Sequence, residues 1–453
     1  MARSRAPELL LAAALFWPLA ATAQSPPDMA RILERLDRLE RENQALAEQV
    51  KQLSARLDGA ASTPAPAAAP AASPAAEAPP KLTPEDRLDI AERRIEEQAQ
   101  TKVEASQKFP IRLTGMALFN AFANSKQSGG SDYPIVASAP GPGHDGATVR
   151  QSIIGLEFRG PSAVWGGKVH GSIYMDFFSG AASQFRVRTA DIQVDWKTRT
   201  IAAGLEKPIF NPREPSSLAQ VGISPLTGAG NLWLWLPQVR FEQEVMFASS
   251  TGMRAQIGAV QTREIGAYTG SVTAEAVRPA LEGRFNFFHR LDDERRLELA
   301  VGFHTSTTHA GGVSIPSNLV SLDWFFNPWK RVEFNGAFYS GTNVAHLGSG
   351  TRQGFGSYDK ELYGIGSTGG WGQLTIHAAP RWDFHFFTGQ VDDANRYLTA
   401  GAIGKNLLYG GNVYFHLAPN VVTALETTQL RTFYLGQGLH INNHYDLALA
   451  YFF

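Results

Sequence analysis

The chain of 453 residues carries 41 lysines and arginines against 42 aspartates and glutamates, and it contains no cysteine. A net charge near zero argues against nucleic acid as the main partner, and the lack of cysteine excludes thiolate metal sites, thiol catalysis and disulfides. No apolar run of about 20 residues is present, so the sequence predicts no transmembrane helix. A membrane β-barrel is compatible with this composition, because its lumen-facing residues dilute its lipid-facing ones.

Residues 1–23 are typical of a secretory signal peptide. Arg3 and Arg5 precede an apolar stretch, which ends in an Ala-Thr-Ala cleavage pattern. An ordinary N-terminal helix is the alternative interpretation. We expect the mature protein to begin near Gln24 and to leave the cytoplasm.

Residues 28–58 predict a coiled coil. Apolar side chains recur alternately three and four positions apart over four heptads, which is the a/d pattern of such a helix. Asn43 is the one polar residue in this seam, and a residue of this kind fixes register and oligomeric state at a cost in stability. The seam leaves dimer and trimer open, and a single amphipathic helix lying on the protein's own barrel is the alternative.

Two further segments follow the coiled coil. Residues 59–82 are rich in proline and alanine and predict a semi-rigid linker. Residues 83–107 predict a short helix, with Thr83 as its N-cap and Pro84 at its first helical position. We expect the coiled coil, the linker and this helix to form a periplasmic stalk.

The remainder, residues 108–453, predicts β-strands. In stretches such as "RTADIQVDWK" and "NLVSLDWFFNP", apolar side chains alternate with polar ones. About sixteen such segments occur, of roughly the ten-residue length with which a tilted strand crosses a bilayer. The predicted fold class is therefore all-β and transmembrane, an antiparallel up-and-down β-barrel preceded by a helical coiled coil.

The spacing and ends of these segments bear on the alternatives, a large soluble β-sandwich or a propeller. The connections "GPSAVWGG" and "DWKTRT" are tight, whereas "NSKQSGGSDYPIVASAPGPGHDGA" is long. Short turns on one side, long loops on the other and aromatic residues near strand ends favour a membrane barrel. No blade-length repeat is visible, which argues against a propeller.

The chain ends in "YDLALAYFF", in which every second side chain, including Tyr451 and Phe453, is large and apolar. Chain ends fray unless they are held in place. We therefore expect this last strand to be paired along both edges, as it would be in a closed barrel.

The signal peptide, coiled coil, Pro/Ala-rich linker, alternating strands and terminal phenylalanine together resemble the trimeric sixteen-stranded porins of Gram-negative outer membranes. The stretches "VRQSIIGLEFRGP", "FRVRTADIQVDWKTRTIAAGLEKPIFNP" and "LEGRFNF" are similar to the DcaP-like branch, which is related to phosphate-selective porins. The resemblance implies a homotrimer in the outer membrane with its stalk in the periplasm. It also implies that Tyr451 and Phe453 belong to the signal read by the barrel assembly machinery.

Residues 211–238 interrupt the strand pattern, and a connection this long inside a compact fold is usually functional or disordered. By strand count the segment resembles the third external loop of general porins, which narrows the pore, and its Leu/Trp stretch suggests packing. A position at the trimer interface or the membrane surface is the alternative.

Candidate residues for constriction and selectivity are Arg186, Arg188, Lys207, Arg213, Glu214, Arg240, Glu242 and Glu244. Ion pairing within the lumen wall is the simpler interpretation of any one of them.

These features predict a porin that lets small hydrophilic solutes diffuse passively. Residues 108–453 carry 28 basic against 26 acidic side chains, which suggests at most a mild anion preference, and organic anions such as dicarboxylates fit the resemblance. No cofactor, metal or enzymatic activity is predicted, since no ligand spacing or catalytic group stands out. Two alternatives remain: an envelope tether that binds peptidoglycan through the coiled coil, and a transporter of hydrophobic compounds.

Overall fold

The computed structural model describes residues 111–138, 141–179, 184–264, 274–276 and 278–453. The chain divides into two compact units, Met1–Leu88 and Asp89–Phe453, and the described residues all belong to the second. The predicted signal peptide, coiled coil, linker and short helix therefore lie outside the described residues. Within the described ranges, no helix has the length and apolar character needed to cross a membrane.

The described residues form twenty strands and three 3-10 helices of three residues each. The first ten strands are β1 (Ile111–Asn124), β2 (His144–Thr148), β3 (Ile153–Ser162), β4 (Lys168–Ser179), β5 (Gln184–Asp195), β6 (Arg199–Glu206), β7 (Leu236–Met246), β8 (Thr251–Val260), β9 (Ala274–Ala276) and β10 (Ala280–Arg290). The others are β11 (Arg296–Ala310), β12 (Val313–Trp329), β13 (Val332–Thr342), β14 (Phe355–Tyr358), β15 (Glu361–Gly364), β16 (Gly366–Ala379), β17 (Trp382–Asp393), β18 (Ile403–Ala418), β19 (Val421–Tyr434) and β20 (Gly438–Phe452). The 3-10 helices are Val164–Gly166, Ala345–Leu347 and Asn395–Tyr397.

The strands close into one antiparallel barrel with sixteen strand positions. β2 and β3 pair with successive halves of β1 and share one position, as β9 and β10 do beside β11. The hairpin β14–β15 pairs only with itself. β1 pairs with β20 and so closes the ring. The predicted antiparallel barrel of about sixteen strands is confirmed.

The closing seam explains how the chain can end on a bare aromatic residue. β20 pairs with β19 along one edge and with β1 along the other. Phe453, which follows β20 directly, is held by two backbone hydrogen bonds, from Gly115 N to the Phe453 oxygen at 3.0 Å and from Phe453 N to the Gly115 oxygen at 3.1 Å. A Cβ at position 115 would lie 2.3 Å from the Ile153 carbonyl oxygen, so this close approach requires glycine.

The two faces of the wall differ as a membrane barrel requires. On β7, Val239 points outward and is 57% exposed, whereas the side chain of its neighbour Arg240 points inward and is 15% exposed. Large apolar side chains on other strands are exposed in the same way, among them Phe285, Leu299, Val320, Phe386 and Leu447. A soluble sandwich would bury this face, so the outer surface is built for hydrocarbon.

The two rims of the barrel also differ. The rim at which β1 begins and β20 ends carries short connections throughout, namely 163–167, 196–198, 247–250, 291–295, 330–331, 380–381 and 419–420. We call it the tight-turn rim. The opposite rim carries the longest connections, 125–143, 207–235 and 343–365, although the turns at 311–312 and 435–437 are also tight. Membrane barrels place their short turns on the periplasmic side.

Candidate permeation pathway and its constriction

The connection between β6 and β7, residues 207–235, folds into the barrel, and we call it the lumen segment. Leu226 and Ala229 are buried in a cluster with wall residues that include Trp371 and Leu408. Phe210 and Leu232 belong to a second cluster with wall residues Leu319, Tyr339 and Val391. The Leu/Trp stretch is therefore packed against the barrel through Leu232, and the lumen segment contributes residues to both clusters.

Side chains of the wall form hydrogen bonds with backbone N–H and C=O groups of the lumen segment. The segment pairs with none of the described strands, so these buried groups would otherwise lack partners. Gln373 accepts a hydrogen bond from Ser216 N at 2.7 Å, and Asn412 donates to the Ser216 oxygen at 3.0 Å. Gln151 accepts from the backbone N–H groups of Val221 and Gly222 at 2.9 and 2.6 Å. These contacts come from separate parts of the wall and fix the path of the segment.

Two other long connections pack against the same segment. Asn406 donates to the carbonyl oxygens of Ile135, in connection 125–143, and of Gly228, at 2.9 and 2.6 Å. Gly350, in connection 343–365, donates to the Thr227 oxygen at 3.0 Å. The three longest connections thus support one another on the side of the long loops.

Arg186 and Arg188 lie side by side on β5 and both bind Asp176, which is fully buried on β4. Arg186 donates to the two Asp176 oxygens at 2.8 and 3.0 Å, and Arg188 donates at 2.7 Å. Both also donate to lumen-segment carbonyls, those of Gly222 and Val221. Two cations share one carboxylate here, so the cluster keeps a positive surplus beside the segment.

Trp235, at the end of the lumen segment, lies against both guanidinium groups. Its ring centre is 5.2 Å from the Arg186 guanidinium carbon and 4.8 Å from that of Arg188. Such cation–π contacts favour a fixed orientation of the guanidinium plane. The two arginines are therefore held as a rigid cationic edge of the pathway.

Lys207 and Glu214 form an ion pair within the lumen segment, with 2.7 Å between Nζ and Oε1. Partial burial opposes ionisation of Glu214, but Lys207 and Arg188 outweigh it and hold the pKa of Glu214 below its usual value. The carboxylate therefore stays charged, and the pair adds no net charge to the pathway.

Arg213 ties the lumen segment to the far wall. It donates to Asp323 on β12 at 2.7 Å and to Glu298 on β11 at 2.5 Å. Arg284 on β10 binds both oxygens of the same Asp323, each at 2.8 Å. This network spans 110 positions of sequence between Arg213 and Asp323.

Arg240 sits between two acids on the inner wall. It pairs with Glu206 on β6 and donates to Glu242 at 2.6 Å. Glu244, the third candidate on β7, accepts from Arg254 at 2.9 Å. The net charge of Arg240 and its two acidic partners is negative, whereas the net charge of the cluster at Asp176 is positive.

Each of the eight candidate residues thus forms an ion pair, and a role in selectivity stays a prediction. Sequence reasoning did not select the partners Asp176, Glu206, Glu298 and Asp323, or Trp235. A usable signal did exist for Asp323, because it is a charge on the polar face of the strand "NLVSLDWFFNP". Among the residues that the structure describes, no group of three or more potential ligands could hold a metal ion.

The comparisons with known proteins bear on the fold. No protein-family profile matches the sequence, and no curated protein matches it significantly. Solved structures do match, and they define the fold class as that of outer-membrane porins. The outer membrane channel DcaP of Acinetobacter baumannii is similar with a TM-score of 0.66 and 15% identity, over 76% of this chain and 97% of that one. An anion-selective porin from Comamonas acidovorans matches with a TM-score of 0.51 and 12% identity, over 76% and 99%.

Proposed function

We propose that the protein is an outer-membrane porin through which small hydrophilic solutes diffuse passively. The observation that carries this proposal is a closed sixteen-position barrel with an apolar outer face and a charged inner wall. A hydrated passage lined by ion pairs needs no energy source and no catalytic group. The lumen segment is the element that narrows the passage.

The charge distribution supports a mild preference for anions. Asp176 is shared by Arg186 and Arg188, which leaves a positive surplus beside the lumen segment. At Asp323, Arg213 and Arg284 are balanced by Asp323 and Glu298, and the cluster at Arg240 is acidic. Residues 108–453 as a whole carry 28 basic against 26 acidic side chains. Small organic anions, including dicarboxylates, are the solute class that this balance favours. The similarity to DcaP and to a porin named for its anion selectivity is consistent with it.

Assembly belongs to the same proposal. We infer a homotrimer in the outer membrane, with the N-terminal coiled coil as a periplasmic stalk that aids assembly. Tyr451 and Phe453 would be read by the barrel assembly machinery.

A tether that binds peptidoglycan would use the same stalk, and removing residues 29–57 separates the two ideas. If the protein is a tether, this deletion abolishes attachment to the envelope. If it is a porin whose coiled coil aids assembly, the deletion lowers the yield of trimer.

The decisive experiment is single-channel recording from the full-length protein in planar bilayers, with the reversal potential measured under a salt gradient. A porin gives stepwise conductance in groups of three, with a modest anion preference. A folded, heat-modifiable barrel that conducts no ions would overturn the proposal and leave the tether or the transporter of hydrophobic compounds.

The cluster at Arg240 provides a matched pair of selectivity variants. Arg240→Gln removes the one cation between Glu206 and Glu242, so we expect the anion-to-cation permeability ratio to fall by about two-fold. Glu242→Gln removes an acid from the same contact and should raise the ratio. Reversal potentials measure both. A shift in the same direction for the two variants would show that the cluster acts through shape rather than charge.

A further inference from the structure

Two histidines that are far apart in sequence meet on one carboxylate in the inner wall. His377 lies on β16, Asp383 on β17 and His416 on β18. His377 Nδ1 is 2.7 Å from Asp383 Oδ1, and His416 Nε2 is 2.7 Å from Asp383 Oδ2. A carboxylate only accepts, so each ring donates through the nitrogen that faces Asp383. We call these three residues the His–Asp–His site.

The site faces the lumen near the tight-turn rim. The side chains of His377, His416 and Asp383 are 35%, 33% and 18% exposed, so water reaches all three. The backbone N–H groups of His377 and His416 donate to the carbonyl oxygens of Arg331 and Arg381, in the turns 330–331 and 380–381. The long connections that fill the other side of the lumen leave this part of the wall open.

Donation to Asp383 determines where an additional proton binds. The nitrogen left on His377 is Nε2, which lies 3.6 Å from Glu333 on β13. On His416 the nitrogen left is Nδ1. With both rings neutral, the site carries one negative charge, and with both protonated it carries one positive charge. Histidine is the side chain whose charge ordinarily changes between pH 5 and 8.

The surrounding elements supply further titratable and charged groups. His385 on β17 is buried, bonds Asn412 at 2.7 Å and packs on Tyr414 of β18 at 4.6 Å between ring centres. On the opposite part of the inner wall, His170 lies 3.3 Å from Asp195. The groups near the site in the wall are Glu333, Tyr414 and His385. The adjacent turns contain Lys330, which pairs with Glu294 at 3.0 Å, and Arg331 and Arg381, whose backbone oxygens accept from His377 and His416.

We propose that the His–Asp–His site is a pH-dependent selectivity element that makes the tight-turn mouth of the pore favour small anions as the pH falls. The inference rests on the proposed function, because it requires a water-filled passage. Protonation adds two positive charges beside Glu333, next to the turns that contain Arg331 and Arg381. A charged ring or patch at a pore mouth attracts ions of opposite sign.

The test is the reversal potential of the full-length protein in planar bilayers under a salt gradient, at pH 7.5 and at pH 5.5. We expect the anion-to-cation permeability ratio of the wild type to rise about two-fold between these values. The double variant His377→Gln/His416→Gln should lose most of this rise. Asp383→Asn, which keeps both histidines and removes the negative charge, should raise the ratio at pH 7.5 above that of the wild type.

His170→Gln is the matched control, since it removes a histidine that also pairs with an acid of the lumen wall, and it should retain most of the rise. A wild-type ratio that does not change with pH overturns the proposal while the porin function stands. An unchanged rise in the double variant also overturns it, because other groups then titrate. Absence of conductance at both pH values overturns the porin function and this inference together.

Discussion

Replacing Asp323 with asparagine should lower the free energy of unfolding by about 3–5 kcal/mol, the cost of breaking a buried ion pair on one side. The Asp323 side chain is completely buried, and its partner Arg284 is only 5% exposed. Arg284 loses its carboxylate partner, whereas Arg213 loses one of two and keeps Glu298. Equilibrium unfolding in urea, followed by tryptophan fluorescence in lipid vesicles, measures the change.

Asp392→Asn is the control, because Asp392 is likewise an aspartate in an ion pair, with Lys405 at 2.8 Å, but at an exposed position. Both side chains are 47% exposed. An exposed pair of this kind contributes roughly 0–1 kcal/mol, so the control should unfold almost as the wild type does. Equal losses in the two variants would show that the network around Asp323 does not stabilise the barrel.

The architecture of the barrel could be predicted because the membrane imposes a simple rule on each strand. Alternation in "VRFEQEV" assigns Arg240, Glu242 and Glu244 to one face, and only the lumen accepts three charges at that depth. The alternation is less regular at the two barrel positions that are each shared by two strands, β2 with β3 and β9 with β10. Interruptions of that kind break the two-residue period on which the count depends.

The pairing of charges across the lumen could not be predicted from the sequence. Arg213 reaches Asp323 only because the lumen segment crosses the barrel, and the course of an irregular connection leaves no periodic signal. In the sequence, His377 and His416 are single histidines with no ligand spacing around them. Antiparallel register places His377 directly opposite Asp383, and β18 brings His416 to the other oxygen of the same carboxylate. Partners of this kind follow from register, which strand patterns alone do not specify.

Removing the lumen segment should produce the largest functional change. In the proposed variant, a short Gly/Ser linker replaces residues 214–231, which contain most of the contacts to the wall. We expect single-channel conductance to rise at least about two-fold, because the narrowest part of a pore dominates its resistance. The variant should carry Glu426→Gln, since Glu426 is buried and accepts from Ser217 at 2.5 Å. Without the segment, that carboxylate would lose a partner that stabilises its charge.

Two controls separate the loss of the constriction from general damage to the barrel. Glu426→Gln alone keeps the lumen segment and should conduct as the wild type does. Replacing the exposed tip of the hairpin β14–β15, residues 358–361, with Gly/Ser changes a long connection that lies away from the wall contacts, and it should also leave conductance unchanged. Single-channel recordings at one salt concentration compare all four proteins. If excision leaves the conductance at the wild-type value, the narrowest point lies elsewhere, and the charged wall between β6 and β8 becomes the next region to test.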